Sequence, residues 1–199
     1  MNDEFPVNEH FFSVQGEGTH SGKTAYFLRF GGCNLRCDFC DSKNTWTKFK
    51  FLTKDTIFDL LEKARNKTDF LVLTGGEPSL YNLTEIVKFA KRLKFYTAVE
   101  TNGILIPAWF KSVDWITISP KTIIKHKNVR YADELKFVIT GIESWNFMLS
   151  YLPFKPVFLM PVNNNKKIAK FIIKKLSDNP ELSKYVKLGI QMHKVYKIK

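Results

Sequence analysis

Three cysteines within eight residues carry the clearest chemistry in this sequence. Cys33, Cys37 and Cys40 follow the spacing C-x3-C-x2-C, and the 199 residues contain no other cysteine. Disulfide pairing would leave one thiol over, and a structural zinc site would need a histidine as its fourth ligand. A [4Fe–4S] cluster held by three thiolates keeps one iron free of protein ligands, so that a small molecule can bind there. The complete triplet favours the cluster over zinc or a redox switch.

The cysteine spacing, with the aromatic Phe39 just before the last cysteine, resembles the cluster motif of the radical S-adenosylmethionine (SAM) enzymes. The resemblance implies that SAM chelates the open iron through its amino and carboxylate groups, and that an electron from the cluster cleaves SAM to a 5′-deoxyadenosyl radical. The segment Gly75-Gly-Glu-Pro78 resembles the motif with which these enzymes contact the SAM ammonium group.

The elements that must position these residues alternate between apolar runs and helical patterns, which predicts an α/β fold. Polar residues gather where the apolar runs end, as in parallel barrels. We therefore expect an incomplete (β/α) barrel of the radical SAM type with mostly parallel strands, abbreviated because the chain is short. The predicted strands are 24–30, 70–74, 95–100, 115–119, 135–139, 157–160 and 186–191, the predicted helices are 53–66, 82–93 and 166–176, and 121–133 is a predicted loop.

Two candidate binding positions lie near the N-terminus. Gln15 offers an amide and Glu17 a carboxylate, and the flanking glycines let the backbone approach a ligand closely. Such a pair can form hydrogen bonds with the edge of a pterin-like or guanine-like ring. A surface turn before a strand would also explain these residues. Arg29 lies inside an apolar strand, where its planar fork suits a carboxylate; the alternative is an outward-facing arginine on an edge strand.

Two further candidates are weaker on their own. Ser42 could place a hydroxyl on Mg²⁺, although serine is more often a turn residue. Gln191 and His193 are two residues apart in a run read as extended, which would put both on one side. A lone histidine is more often structural than functional.

Composition sets broad limits on function. The chain is 44% hydrophobic and 25% charged, as in ordinary globular proteins. Its net charge of +12 comes from 31 basic and 19 acidic residues, and the scattered lysines suggest solvated helix faces or a cleft for an anionic substrate rather than nucleic-acid binding. No membrane span or signal pattern is evident, so we expect a cytoplasmic protein that binds no membrane.

Seven segments together carry a narrower resemblance that extends from residue 12 to residue 194. They are 12–18, 27–29, 37–42 with Trp46, 74–78, 100–103, 118–121 and 191–194. They resemble the 7-carboxy-7-deazaguanine synthase family. The resemblance implies conversion of 6-carboxy-5,6,7,8-tetrahydropterin to 7-carboxy-7-deazaguanine with release of ammonia, on the route to queuosine and other 7-deazapurines. It also implies a [4Fe–4S] cluster, SAM and Mg²⁺ as cofactors, a homodimer, and an external electron donor such as a flavodoxin.

The resemblance also assigns roles to individual residues, none of which need be a nucleophile. Ser42, where the family often has threonine, would bind Mg²⁺, and Arg29 would bind the pterin carboxylate. The three cysteines would hold the cluster. SAM would lie against Phe39, Cys40, Asp41, Gly76, Ser119, Pro120 and Lys121. The pterin would lie against Val14, Gln15, Gly16, Glu17, Arg29, Thr74 and His193. Residues 1–199 would form a single radical SAM domain, with an N-terminal substrate-binding segment and a C-terminal tail near the active site.

Two rival functions remain open at this point. A radical SAM activase, which makes a glycyl radical on a partner enzyme, shares the cysteine motif but has no need for Gln15, Glu17 or Arg29. A zinc or RNA-binding module would use three cysteines, one histidine and the positive charge. Metal analysis and pterin turnover separate the three readings.

Overall fold

The computed structural model describes residues 3–154 and 156–199. Within them, nine strands form one sheet in the order β3-β1-β2-β4-β5-β6-β7-β8-β9. β1 pairs antiparallel with β2 and β3, whereas β2 and β4 to β9 are parallel. The strands are β1 (Glu4–Val14), β2 (Thr24–Phe30), β3 (Lys50–Thr53), β4 (Phe70–Gly75), β5 (Tyr96–Thr101), β6 (Trp115–Ile118), β7 (Glu134–Ile139), β8 (Val157–Pro161) and β9 (Val186–Leu188).

The connections between parallel strands are uneven. Two of them are short: β5 reaches β6 through the 3₁₀ turn Ala108–Ser112, and β6 reaches β7 through α3, which has only four residues and lies within the predicted loop. This arrangement confirms the expected incomplete, mostly parallel barrel with reduced helices. The α-helices are α1 (Lys54–Arg65), α2 (Thr84–Arg92), α3 (His126–Val129), α4 (Ile142–Leu149), α5 (Lys166–Ser177) and α6 (Met192–Tyr196).

α1 shows how the local sequence sets an element. Thr53 caps the helix, since its hydroxyl accepts a hydrogen bond from the backbone N–H of Thr56 at 3.2 Å. Ile57, Leu61 and Ala64 recur at helical spacing and are buried. The helix predicted for 53–66 is confirmed, with its first and last residues acting as caps.

Several local predictions were wrong or incomplete. β1, β3 and α4 were not predicted. α2 begins at Thr84, and Leu83 takes the capping position, so Asn82 does not form the expected capping box with Glu85. The side-chain oxygen of Asn82 instead accepts hydrogen bonds from the backbone N–H and hydroxyl of Thr84. The run predicted as a strand over 186–191 is a strand only from Val186 to Leu188, and helix α6 begins at Met192.

The two faces of the sheet have different environments. The large core lies between one face and the helices and includes the fully buried Leu28, Leu73 and Ile86. The other face carries a smaller apolar cluster that includes Phe27, Val72 and Ala98. Because side chains alternate along strands, Arg29, Thr74 and Glu100 follow these residues on that same face. This second face is therefore apolar near the starts of the strands and polar near their ends. No helix among the described residues has the length and apolarity needed to cross a membrane.

Candidate active site

One cavity of about 490 Å³ opens at the polar ends of the parallel strands, within the size range of small-molecule sites. The cysteine loop, the ends of β2 and β4 to β8, the segment after β1 and the C-terminal residues line it. Every site residue predicted from the sequence lines this cavity except Pro120, which is buried and does not. Ile198 and Lys199 also line the cavity.

The cysteine loop presents its thiols to this cavity. Cys33, Cys37 and Cys40 are free and partly exposed. Burial raises the pKa of the Cys33 and Cys37 thiols, so a metal group must displace their protons on binding. The Arg36 guanidinium donates to the carbonyl oxygens of Cys33 at 2.6 Å and Leu35 at 2.8 Å, which fixes the turn between the first two cysteines.

The three thiols suit a cluster that keeps one iron free of protein ligands. All three cysteines line the open cavity. A structural zinc site would need a fourth protein ligand, whereas a [4Fe–4S] cluster held by three thiolates leaves one iron open to a small molecule. Across residues 3–154 and 156–199, no three His, Cys, Asp or Glu side chains are grouped so as to hold one metal ion.

Gly76 brings the loop after β4 against the cysteine loop. A Cβ atom at this position would lie 1.9 Å from the carbonyl oxygen of Gly32, so only glycine fits. The backbone N–H of Gly76 donates to Phe30 at 2.9 Å and that of Glu77 to Gly32 at 2.8 Å. These two bonds fix the Gly-Gly-Glu-Pro segment one residue from Cys33.

Glu77 connects this segment to the end of β5. Its buried carboxylate accepts hydrogen bonds from the Thr101 hydroxyl at 2.7 Å, the Asn102 backbone N–H at 2.7 Å and the Ser79 backbone N–H at 3.0 Å. The Asn102 side chain then donates to the side-chain oxygen of Asn34 at 2.8 Å. The cysteine loop is thus tied to two neighbouring strand ends.

A charged cluster lies deeper in the cavity. The Lys136 ammonium lies 2.6 Å from the Glu17 carboxylate and 2.8 Å from that of Glu100. The Gln15 amide donates to the other oxygen of Glu100 at 2.8 Å, and the Gln191 amide to the other oxygen of Glu17 at 2.8 Å. Burial alone would raise the pKa of Glu100, but Lys136 lowers it. Burial would lower the pKa of Lys136, but Glu100 and Glu17 raise it.

The C-terminal segment closes one side of the cavity and is not extended as predicted. Gln191 precedes α6 and is buried, whereas His193 lies in the helix and packs against Gly16. The two side chains therefore do not share one face of a strand. Lys194 of α6 lies 3.0 Å from the Asp41 carboxylate. Partial burial would raise the pKa of Asp41, but Lys194, with Ser42 and Gln191, lowers it to about 2.

Arg29 faces the cavity and already has one partner. Its Nε donates to the Glu9 carboxylate at 3.0 Å, and its side chain is 20% exposed. A ligand carboxylate would therefore use the two terminal nitrogens of the guanidinium. Arg29 pairs directly with Thr74 in the parallel register of β2 and β4, so both predicted pterin contacts are neighbours.

Hydrogen bonds join several of the residues predicted to contact SAM and Mg²⁺. The Ser42 hydroxyl donates to Asp41 at 3.1 Å. The Lys121 ammonium donates to the Ser119 hydroxyl, which in turn donates to the backbone carbonyl of Lys136 at 2.6 Å. Burial, reinforced by the Lys136 charge, lowers the pKa of Lys121.

Comparison with known proteins agrees with this geometry. The family model of the radical SAM superfamily matches residues 28–143. A 7-carboxy-7-deazaguanine synthase from Bacteroides thetaiotaomicron is 38% identical over 160 residues, which are 80% of this chain and 82% of that protein. The chain belongs to the 7-carboxy-7-deazaguanine synthase family. A member from Buchnera aphidicola is 29% identical over 98% of this chain and 99% of its own length.

Solved structures show the same fold. QueE from Escherichia coli superposes with a TM-score of 0.80 at 21% identity, over 96% of each chain. SuiB from Streptococcus suis, solved with S-adenosylmethionine, gives 0.54 at 13% identity over 81% of this chain and 51% of its own. The family and fold predicted from the sequence are therefore confirmed. As a member of this family the protein is a radical SAM enzyme, whose cofactors are a [4Fe–4S] cluster and SAM.

Sequence reasoning gave no role to several residues that shape the site. Glu77, Glu100, Asn102 and Lys136 all line the cavity, yet none was among the candidates. A signal existed for Lys136, since it stands inside an apolar strand as Arg29 does. The same reasoning that selected Arg29 would have selected it.

Proposed function

We propose that this enzyme converts 6-carboxy-5,6,7,8-tetrahydropterin to 7-carboxy-7-deazaguanine with release of ammonia, a step towards queuosine and related 7-deazapurines. The observation that carries the proposal is the single cavity shared by the three cysteines and the polar set Gln15, Glu17 and Arg29. The names of the family members support the same reaction.

The polar set suits a pterin that carries a carboxylate. The pyrimidine ring of a pterin presents N–H donors along one edge, and carboxylate and amide oxygens accept from such donors. Glu17 and Gln15 supply these acceptors, while Arg29 supplies a fork for the substrate carboxylate. Val14, Gly16, Thr74 and His193 complete the proposed pterin site.

The cofactors are assigned to the cysteine loop and to other residues that line the same cavity. Cys33, Cys37 and Cys40 would hold the cluster. When bound, the cluster and SAM supply the one-electron chemistry that removes a hydrogen atom from C6 of the pterin. SAM would lie against Phe39, Cys40, Asp41, Gly76 and the turn 119–121, of which Ser119 and Lys121 line the cavity.

Further parts of the proposal come from the family resemblance. The Ser42 hydroxyl would bind Mg²⁺, which prefers oxygen ligands and could orient the substrate. Residues 1–199 would act as one radical SAM domain within a homodimer, reduced by an external donor such as a flavodoxin. We place the enzyme in the cytoplasm, where a reducing environment protects thiolate ligands.

Replacing Glu17 and Arg29 tests the substrate assignment. In E17Q and R29A we expect pterin turnover to fall at least about a hundredfold, because each variant loses a charge-assisted contact. Uncoupled formation of 5′-deoxyadenosine should persist, since neither residue touches the cysteine loop. E62Q, at an exposed position of α1, is the matched control and should keep wild-type turnover. If pterin turnover survived both changes, the substrate assignment would be wrong, and an activase would become the better reading.

A further inference from the structure

Lys136 is a buried charged residue for which the proposed chemistry has no direct use. Its side chain is 7% exposed, and it lies on β7 with its ammonium between two carboxylates. One carboxylate, Glu17, follows β1; the other, Glu100, is on β5. Burying an ammonium is costly unless opposite charges compensate it, so this position requires an explanation.

Glu17 and Glu100 use their two carboxylate oxygens in the same way. One oxygen of Glu17 and one of Glu100 face Lys136, at 2.6 and 2.8 Å. The second oxygen of each accepts from a glutamine amide, Gln191 for Glu17 and Gln15 for Glu100. A carboxylate has about four acceptor positions, so both groups keep lone pairs for a ligand in the cavity that they line.

We propose that Lys136 is a positioning residue that holds the Glu17 and Glu100 carboxylates side by side as acceptors for the N–H donors of the pterin. This inference rests on the proposed function. In this role the lysine acts through the two carboxylates and not by contact with the substrate. Its ammonium offsets the burial that would otherwise raise the pKa of Glu100, so without it Glu100 would take up a proton more readily. A protonated carboxyl donates a hydrogen bond where the pterin N–H requires an acceptor.

Other cationic side chains lie near Lys136, but they do not pair with its two carboxylates. Arg29 is engaged by Glu9 at 3.0 Å, and the Lys121 ammonium donates to Ser119. No ion pair within 4 Å joins either of them to Glu17 or Glu100 in the described part of the chain. The charged groups that act on Lys136 are Glu17, Glu100 and Lys121, and Arg29 acts on Glu100.

The test measures binding in the full-length, cluster-loaded protein without reductant, so that no turnover occurs. The probe is 6-carboxypterin, which carries the same pyrimidine ring and carboxylate, and anaerobic equilibrium dialysis gives its Kd. We expect K136M to weaken binding at least tenfold at pH 6, and the defect to narrow towards pH 7.5 as Glu100 ionises. K136R retains the charge and should remain within about threefold of wild type, as should K170M, which alters an exposed lysine of α5.

Other readouts separate positioning from a general loss of structure. SAM binding by K136M should stay within about threefold of wild type. A K136M protein that bound 6-carboxypterin as wild type does, or that lost affinity equally at every pH, would overturn the proposal.

A second comparison works even if K136M folds poorly. At pH 7.5 the two carboxylates of K136M would repel each other, and neutralising one of them relieves that repulsion. K136M/E17Q should therefore have a higher thermal midpoint at pH 7.5 than K136M; a double variant no more stable than the single one would also overturn the proposal. If wild-type protein failed to bind 6-carboxypterin, the substrate assignment would fail, whereas the thermal comparison would still decide the role of the charge.

Discussion

Glu77 gives the sharpest prediction about how the site is held together. Its carboxylate accepts three hydrogen bonds, from Ser79, Thr101 and Asn102, and is 1% exposed. In E77Q the amide oxygen can keep the Ser79 and Thr101 donors. The amide nitrogen then faces the Asn102 N–H, and two donors oppose one another in a buried site.

The expected cost follows from these contacts. A hydrogen bond to a charged group contributes roughly 1.5–3 kcal/mol, and an unsatisfied buried donor costs about 1–3 kcal/mol. We expect E77Q to lower the free energy of unfolding by about 3 kcal/mol. For a domain of this size, 1 kcal/mol corresponds to roughly 2–4 °C, so the thermal midpoint should fall by roughly 6–12 °C.

The assay is anaerobic thermal denaturation of the cluster-loaded protein followed by circular dichroism, together with the iron content per chain. Iron retention should also fall in E77Q, because Asn102 anchors the cysteine loop through Asn34 at 2.8 Å. E62Q on the exposed face of α1 serves as the control, with a shift below about 2 °C. If E77Q melted within about 2 °C of wild type, the buried network would not have the strength that we assign to it.

Two further predictions test other parts of the structure. G76A should lose iron, because its Cβ would lie 1.9 Å from the Gly32 oxygen, whereas G141A should retain it, since a Cβ there meets no atom within 4 Å; equal iron contents would contradict the packing. Burial would raise the pKa of Asp114, but hydrogen bonds from Lys91 and Thr97 lower it. Its stabilisation is therefore present above the unfolded pKa of about 3.9 and is lost as pH falls below that value. In urea denaturation D114N should be less stable than wild type at pH 7, with a smaller difference at pH 3.5; a constant difference would contradict the pKa shift.

The central strands were predictable because they are buried on both faces. The run from Phe70 onward is continuous and apolar, and it ends at a pair of glycines, as strands in parallel sheets do. The cysteine motif was equally clear, since its spacing is local. These local signals were enough for the incomplete, mostly parallel barrel and for the cysteine loop.

β1 shows why the antiparallel edge was missed. Its sequence contains Pro6, and the pairing with β2 shifts between Val7 and Glu9, so alternation is interrupted. Eight of its eleven residues are exposed or partly exposed, and polar residues obscure the apolar positions. Its place in the sheet depends on pairing with β2 and β3, which no local pattern encodes.

α6 and the Lys136 cluster depend on contacts between distant parts of the chain. The backbone N–H of Met192 donates to Gly16 at 3.0 Å, which anchors the start of α6 to the N-terminal segment. Likewise, Lys136 meets Glu17 only because β7 and the segment after β1 border the same cavity. The sequence identified Glu17 as a candidate, but it did not show which distant residue Glu17 would meet.

The most direct test of the central claim is an anaerobic turnover assay on the wild-type enzyme. The reconstituted protein receives SAM, a reductant, Mg²⁺ and 6-carboxy-5,6,7,8-tetrahydropterin, and the products are followed by mass spectrometry. We predict that 7-carboxy-7-deazaguanine and ammonia form with no net consumption of SAM. Accumulation of 5′-deoxyadenosine without any product derived from the pterin would contradict it.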